Sequence, residues 1–283
     1  KIAAARDLGK PVDGHAPGLR GDAARQYISA GISTDHECFT AEEARDKLGH
    51  GMKILIREGS AAKNFEALIG LLHEYPDRMM FCSDDKHPDS LVTAHINALC
   101  ARAVAHEVDI FNVLQAACIN PVLHYKMDVG LLREGDPADF IVLNNLQNFT
   151  VRETWIGGEQ VALNGVSKIP HILTSPINRF IAEPRSVADF RMPVTGAPLP
   201  AIEALDGQLI TNACPVSPFD LLIEEGSWTS NPAKDLLKLA VVNRYAPAPV
   251  ALCFIRNFGL KQGAIASSVA HDSHNIIVVG ADD

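Results

Sequence analysis

The stretch GISTDHE, Gly31 to Glu37, closes a short apolar segment with an imidazole set between two carboxylates. Two readings fit it. Ser, Thr and Asp cap helices well, so the polar group could simply open the next helix. Alternatively it closes a strand at the end of a β/α unit where such folds keep their chemistry. The stretch decides the fold only if the pattern recurs, and it does. Pro11 to Gly14 is a strand-like entry ending in His15, and Arg78 to Cys82 is an apolar run ending in Ser83, Asp84 and Asp85.

Helical patterns separate these strand ends. DAARQYISAG predicts a helix with Asp22 as N-cap and Gly31 as its stop. TAEEARDKLGHG carries a capping box, Thr40 with Glu43, and a stop at Gly49. Met52 to Ile56 predicts a strand, and Phe65, Leu68, Ile69 and Leu72 fall at the i, i+3, i+4, i+7 spacing of an amphipathic helix. A long Ala-rich helical region follows from about Leu91 to Ile119, broken near Val108–Asp109 and ended by Asn120-Pro121. Strands alternating with helices imply a parallel sheet. A complete eight-stranded β/α barrel takes about 250 residues, and the alternating part covers about half of that. The fold class expected is therefore α/β, the C-terminal half of a (β/α)8 barrel. With KIAAARDLG at the start and VVGADD at the end, both termini have the look of cuts in a longer protein.

Beyond the barrel-like part the texture changes. VGLLREGDPADFIVLN places a Gly-Asp-Pro turn between two expected strands, and FTVRETWIGGEQVALNG alternates around Gly157-Gly158, a two-residue hairpin signal. Residues 169–200 are Pro-rich, and the rest carries an α+β pattern. GAIASSVAHDSHNIIVVG sets two apolar runs around a turn with His271, Asp272, Ser273 and His274. The domains expected are 1–124, a partial barrel; 125–168, a small β module; and 169–283, an α+β C-terminal domain.

The 283 residues are 47% hydrophobic and 21% charged, enough apolar content for a core. A net charge of −9 with no Lys/Arg run argues against a nucleic-acid surface. No apolar segment approaches the ~20 residues of a membrane span, and there is no signal-peptide pattern. Six scattered cysteines without a CxxC pair fit reduced thiols in a cytoplasmic protein.

If three strand ends meet, His15, His36 and Asp84 form the usual donor set for a catalytic divalent cation, two imidazoles and a carboxylate. Such an ion makes hydroxide available near neutral pH, and a carboxylate beside the water can carry its proton. Each residue also has an ordinary explanation: a loop histidine for His15, a cap for His36, an N-cap for Asp84–Asp85. Glu37 and Asp85 are neighbours that either touch substrate or cap. His73, His95, His106 and His124 lie within helical stretches, as surface or core residues.

VDGHAPGLRG, AGISTDHECFTAEEARDKLGHGMKILIREGSAAKN, FCSDDKHP and ASSVAHDSHNIIVVG resemble adenine deaminases of the amidohydrolase superfamily, over essentially the whole chain. The resemblance implies a distorted amidohydrolase barrel, a β-sandwich module and a family-specific C-terminal domain. It implies a binuclear metal centre of Mn, Fe or Zn, with His15 matching the histidine after the fifth barrel strand, His36 that after the sixth, and Asp84 the metal-binding aspartate after the eighth that shuttles the proton. The reaction implied is hydrolytic deamination of adenine to hypoxanthine and ammonia, with Glu37, Asp85, His271 and His274 as substrate contacts and a homo-oligomer as a further expectation.

The chain departs from the superfamily pattern in lacking an HxH motif; its nearest spacing is HDSH, His271 to His274, at the far end. The expectation is that the remaining ligands lie upstream of Lys1 and that this segment alone is inactive. Two alternatives stand beside the deaminase: another cyclic amidohydrolase acting on a dihydropyrimidine or imidazolone, and a metal-free, non-catalytic remnant.

Overall fold

The structure, a computed structural model, describes every residue except 197–198, 207–209 and 272. The described residues form two compact units, Lys1–His171 and Ile172–Asp283.

The first unit opens with α1 (Ile2–Asp7) and then alternates through β1 (Asp13–Gly14), α2 (Gly21–Ser29), β2 (Thr34–Asp35), α3 (Ala41–Gly49), β3 (Lys53–Arg57), α4 (Phe65–Leu68, continued as a 3-10 turn over Ile69–His73) and β4 (Met79–Cys82). The strands form one parallel sheet in the order β1-β2-β3-β4, with Gly14 opposite Asp35, Asp35 opposite Ile54 and Arg57 opposite Cys82. In a parallel sheet each crossover returns the chain to the same starting edge, so the residues that follow every strand collect on the opposite one. Ile54, Leu55 and Ile56 of β3 and Met79, Met80 and Phe81 of β4 are all buried, the continuous apolar run of strands covered on both faces. Phe65, Leu68, Ile69 and Leu72 close over this sheet together with Ala44 and Leu48 of α3, in one core.

Helix ends differ in detail from the sequence expectations. Asp22 is not the N-cap of α2 but lies in its first turn; the cap is Arg20, and the Gly21 N–H donates to Asp46 Oδ2 at 2.8 Å. A neighbouring helix thus satisfies the orphan donor that a capping side chain would otherwise take. Thr40 does cap α3, accepting from the Glu43 N–H at 3.2 Å. Glu43 does not return the bond to Thr40; its carboxylate accepts from the N–H groups of Gly18 and Phe39. α3 ends at Gly49, the expected stop, and the left-handed residue that follows is Gly51, at φ +91°.

The helical region comprises α5 (Pro88–Leu91), α6 (Ile96–Ala105), α7 (Ile110–Leu114), a π-turn over Gln115–Ile119 and α8 (Asn120–Tyr125). Asp109 caps α7 at the expected break. Asn120-Pro121 does not end the helix. Proline has no N–H to place in the helical ladder, and the π-turn before it absorbs the mismatch. Asn120 Nδ2 donates to the carbonyls of Pro76 and Met79, each at 2.7 Å, and ties this point to β4.

An antiparallel sheet follows: β5 (Phe140–Leu143), β6 (Val151–Ile156), β7 (Glu159–Leu163) and β8 (Val166–Ser167), in that order. Gly157 and Gly158 turn the β6–β7 hairpin at φ +57° and +83°, which a type I′ turn requires. The Gly-Asp-Pro turn has a strand on one side only. Gly130 and Leu131 donate their N–H groups to the Asp139 and Asp136 carboxylates, so Val129–Leu132 has a side-chain partner instead of a strand.

The second unit holds β9 (Met192–Pro193), β10 (Leu199–Ala204), β11 (Thr211–Val216), β12 (Leu222–Glu224), β13 (Ser227–Thr229), β14 (Leu237–Val242), β15 (Ala251–Arg256), β16 (Ala264–Ser267) and β17 (Ile276–Gly280). They make a six-stranded sheet, β11-β10-β15-β14-β17-β16, and a three-stranded one, β12-β13-β9. Its helical content among the described residues is limited to 3-10 turns at Val187–Phe190, Pro218–Asp220 and Pro232–Lys234. Among the described residues, no helix is long and apolar enough to cross a membrane.

Candidate active site

The C-terminal edge of the parallel sheet gathers the ends of all four strands. His15 follows β1, His36 follows β2, Arg57 is the last residue of β3, and Asp84 comes two residues after β4. The His15 and His36 rings meet edge to face with centroids 4.6 Å apart. His15 Nδ1 is 3.3 Å from Glu37 Oε1, and His36 Nε2 is 3.6 Å from Asp84 Oδ1. His15, His36 and Glu37 each offer a ligand atom, all within 4.8 Å of one another. Glu37, expected as a substrate contact, therefore sits among the donor atoms.

Backbone anchoring explains how such short strands hold this geometry. The Tyr27 hydroxyl accepts from the His15 N–H at 3.0 Å and donates to the His15 carbonyl at 3.2 Å. A β-carbon at position 14 would collide with the Tyr27 ring and with Ile32, so glycine is what lets that tyrosine reach the strand end. Asn64 accepts from the Arg57 N–H at 2.7 Å and donates to the carbonyls of His36 and Cys38, both at 3.2 Å.

Beneath the two histidines lies a buried ionic network. Lys47 Nζ is 2.6 Å from Asp35 Oδ2 and 2.7 Å from Glu43 Oε1, and it also donates to the Ala16 carbonyl. Asp35 Oδ1 accepts from the N–H groups of Ala16 and Glu37, while Glu43 accepts from those of Gly18 and Phe39. One lysine thereby joins the loop carrying His15 to the loop carrying His36. Burial alone would raise the Asp35 carboxyl, but the Lys47 hydrogen bond and charge, with the Glu37 N–H and Cys38 thiol, outweigh it and hold it below the usual carboxylate value.

Electrostatics keep His36 available as a donor. Burial lowers its pKa first, and the neighbouring His15 and Arg57 add to that, against Asp84 and Glu37. Its Nε2 is buried and has no hydrogen-bond partner. A buried polar atom without a partner carries a desolvation cost, which a cation at the lone pair would remove. Two imidazoles beside carboxylates suit a first-row divalent ion, so the residues fit a metal. Burial pushes the thiol of nearby Cys82 up to about 12, which disfavours its thiolate.

Arg57, which the sequence reading missed, is the largest addition. Its guanidinium reaches Asp84 Oδ2 at 2.6 Å, Asp85 Oδ1 at 3.3 Å and Glu37 Oε1 at 3.4 Å. Asp85 also accepts from the N–H groups of Ser60 and Ala61, so its oxygens tether the β3 loop. A β-carbon on Gly59 would strike Asp85 Oδ1 and crowd Arg57 Nε. Gly59→Ala is therefore expected to cost about 1–3 kcal/mol by overpacking, measured by urea unfolding; an unchanged midpoint would show that Asp85 is not held where described.

His271 and His274 lie in the second unit, exposed, in the turn between β16 and β17. His274 has φ +52°, and its N–H donates to the Ala270 carbonyl at 2.8 Å. Asp272 of the same turn lies outside the described residues.

Comparison with known proteins gives two family matches: "Amidohydrolase family" over residues 1–161 and "Adenine deaminase C-terminal domain" over residues 208–283. The adenine deaminase of Salinibacter ruber is 56% identical over 285 residues, covering 100% of this chain and 52% of that protein. That of Borreliella burgdorferi is 50% identical over 288 residues, with the same coverages. The chain spans about half the length of the curated relatives it matches. A solved β-aspartyl dipeptidase from Fervidobacterium islandicum aligns at TM-score 0.47 and 17% identity, over 60% of this chain and 51% of that one, too distant to carry an argument.

Proposed function

We propose, since this chain belongs to the amidohydrolase family and ends in an adenine deaminase C-terminal domain, that its cluster of imidazoles and carboxylates serves the hydrolytic deamination of adenine to hypoxanthine and ammonia. The observation that carries the proposal is the buried Nε2 of His36, without a hydrogen-bond partner, gathered with His15, Glu37 and Asp84 at one edge. His15, His36 and Asp84, with Glu37 adjacent, would hold the metal, a binuclear Mn, Fe or Zn centre in this reading. When bound, the metal supplies an activated hydroxide near neutral pH. Asp84 Oδ1, on the side facing His36, takes the proton of the attacking water and returns it to the departing amine. His36, held neutral by burial, keeps its lone pair directed at the cluster. Asp85 keeps the β3 loop against Arg57. On the resemblance alone, His271 and His274 are substrate contacts. The proposal includes 1–124 as barrel, 125–168 as β module and 169–283 as the C-terminal domain.

Supporting the purine reading over a cyclic amide is the C-terminal domain, matched over residues 208–283. The test is ammonia release from adenine and ring opening of hydantoin by the natural protein carrying this chain, with and without Mn²⁺. Adenine turnover that is abolished by a chelator and restored by Mn²⁺ is the expected result. Hydantoin opening without ammonia release from adenine would sink the proposal.

A further inference from the structure

Arg57 is a buried cation at the site that the proposed chemistry does not use. Arg57 is 2% exposed, and its guanidinium lies among Glu37, Asp84 and Asp85. The arrangement is asymmetric. Asp85 is fixed from behind by the N–H groups of Ser60 and Ala61, and the Arg57 backbone is fixed by Asn64. Asp84, at φ +43°, accepts from no backbone N–H among the described residues; its carboxylate is held by an ion pair, Oδ2 lying 2.6 Å from Arg57 Nη2. Its other oxygen, Oδ1, is the one beside His36.

We infer that Arg57 is a positioning residue: it commits Asp84 Oδ2 to the guanidinium, so that Asp84 acts through Oδ1 alone. Arginine suits the task because its planar fork fixes direction, whereas a lysine ammonium fixes only distance. Charge points the same way. Three carboxylates against one guanidinium leave an excess of two negative charges, which attracts divalent cations. The chain thus neutralises one carboxylate's worth of charge by itself while keeping the cluster attractive to a dication.

The inference rests on the metal-dependent reading of the site, and its test separates the two. Arg57→Met and Arg57→Lys are made in the natural protein carrying this chain, and Mn²⁺ affinity is measured by EPR titration alongside kcat and KM for adenine. Removing a fixed positive charge from beside three carboxylates is expected to tighten Mn²⁺ binding by roughly 3–10-fold in Arg57→Met. Loss of orientation is expected to lower kcat by about 100-fold with KM changed by less than about 3-fold. Arg57→Lys keeps the charge, so Mn²⁺ affinity stays near wild type while kcat still falls by at least about 10-fold.

A merely structural arginine would weaken metal binding and turnover together in both variants, and that result overturns the inference. So does wild-type kcat in Arg57→Lys, even where Arg57→Met fails to fold. If the wild type binds Mn²⁺ but releases no ammonia from adenine, the deaminase reading fails, while the differing Mn²⁺ responses of the two variants, tighter in Arg57→Met and unchanged in Arg57→Lys, still decide whether Arg57 acts on the cluster.

Discussion

Lys47→Met lowers the unfolding free energy of the first unit by about 3–5 kcal/mol, the cost of stripping the cation from a buried ion network. Lys47 is 1% exposed, Asp35 0% and Glu43 2%, so no water is at hand to solvate the two carboxylates left behind. Both carboxylates also hold backbone N–H groups of the His15 and His36 loops, so the loss spreads into the site. The pH dependence follows in sign. In the wild type the Asp35 carboxyl lies below its ordinary 3.8, so its contribution is present above that value and is lost as pH falls through the lower folded one. Burial would lower the Lys47 ammonium, but Cys38, Asp35 and Glu43 together raise it above 10.5. Its contribution is therefore present below that pH and is lost as pH climbs through the higher folded value. Without the lysine, burial raises the Asp35 carboxyl, and the penalty fades as it protonates. The gap between wild type and variant is therefore widest near neutral pH and narrows towards pH 4. Urea unfolding followed by Trp155 fluorescence at both pH values checks this; a gap under about 1 kcal/mol at pH 7 would show that the network does not hold the loops.

In the natural protein carrying this chain, Asp84→Asn is expected to abolish the proposed turnover without unfolding the protein. Asparagine has the same shape as aspartate and tolerates positive φ, so position 84 at φ +43° accepts it. What it loses is the carboxylate that carries the proton in the proposed mechanism, worth about 100- to 10,000-fold in rate for general acid–base catalysis. The amide keeps an oxygen facing Arg57, and Arg57 keeps its ion pairs with Glu37 and Asp85, so the β4 end stays in place. Ammonia release from adenine falls by that factor while the thermal midpoint moves little. A variant retaining a tenth of wild-type kcat would remove Asp84 as proton carrier.

These two residues were not equally visible in the sequence. Asp84 stands out because it ends an apolar run, the position where parallel β/α units place chemistry, and His15 and His36 stand out for the same reason. Lys47 does not. Four residues after Glu43, on a helix with a capping signal, it has the spacing of an ordinary surface ion pair. Only its burial against Asp35, from the preceding strand, changes its meaning. Arg57 is hidden in a similar way. A charged residue at the end of KILIR looks like any strand leaving the core for solvent, and nothing local says that three carboxylates from two other loops surround it. The failed Asn120-Pro121 stop is a local rule overridden by the π-turn and the two carbonyls that receive Asn120.

The sequence by itself determined the alternation of strand and helix, and hence that His15, His36 and Asp84 share one edge. Periodicity and strand-end position are local properties, and parallel pairing converts them into a shared edge whatever the packing details. Tertiary structure decided which charges are buried and which oxygen of each carboxylate is already committed. Those are matters of distance between segments as far apart as Glu37 and Asp84, and they depend on how strands register and loops fold back, which no window along the chain contains.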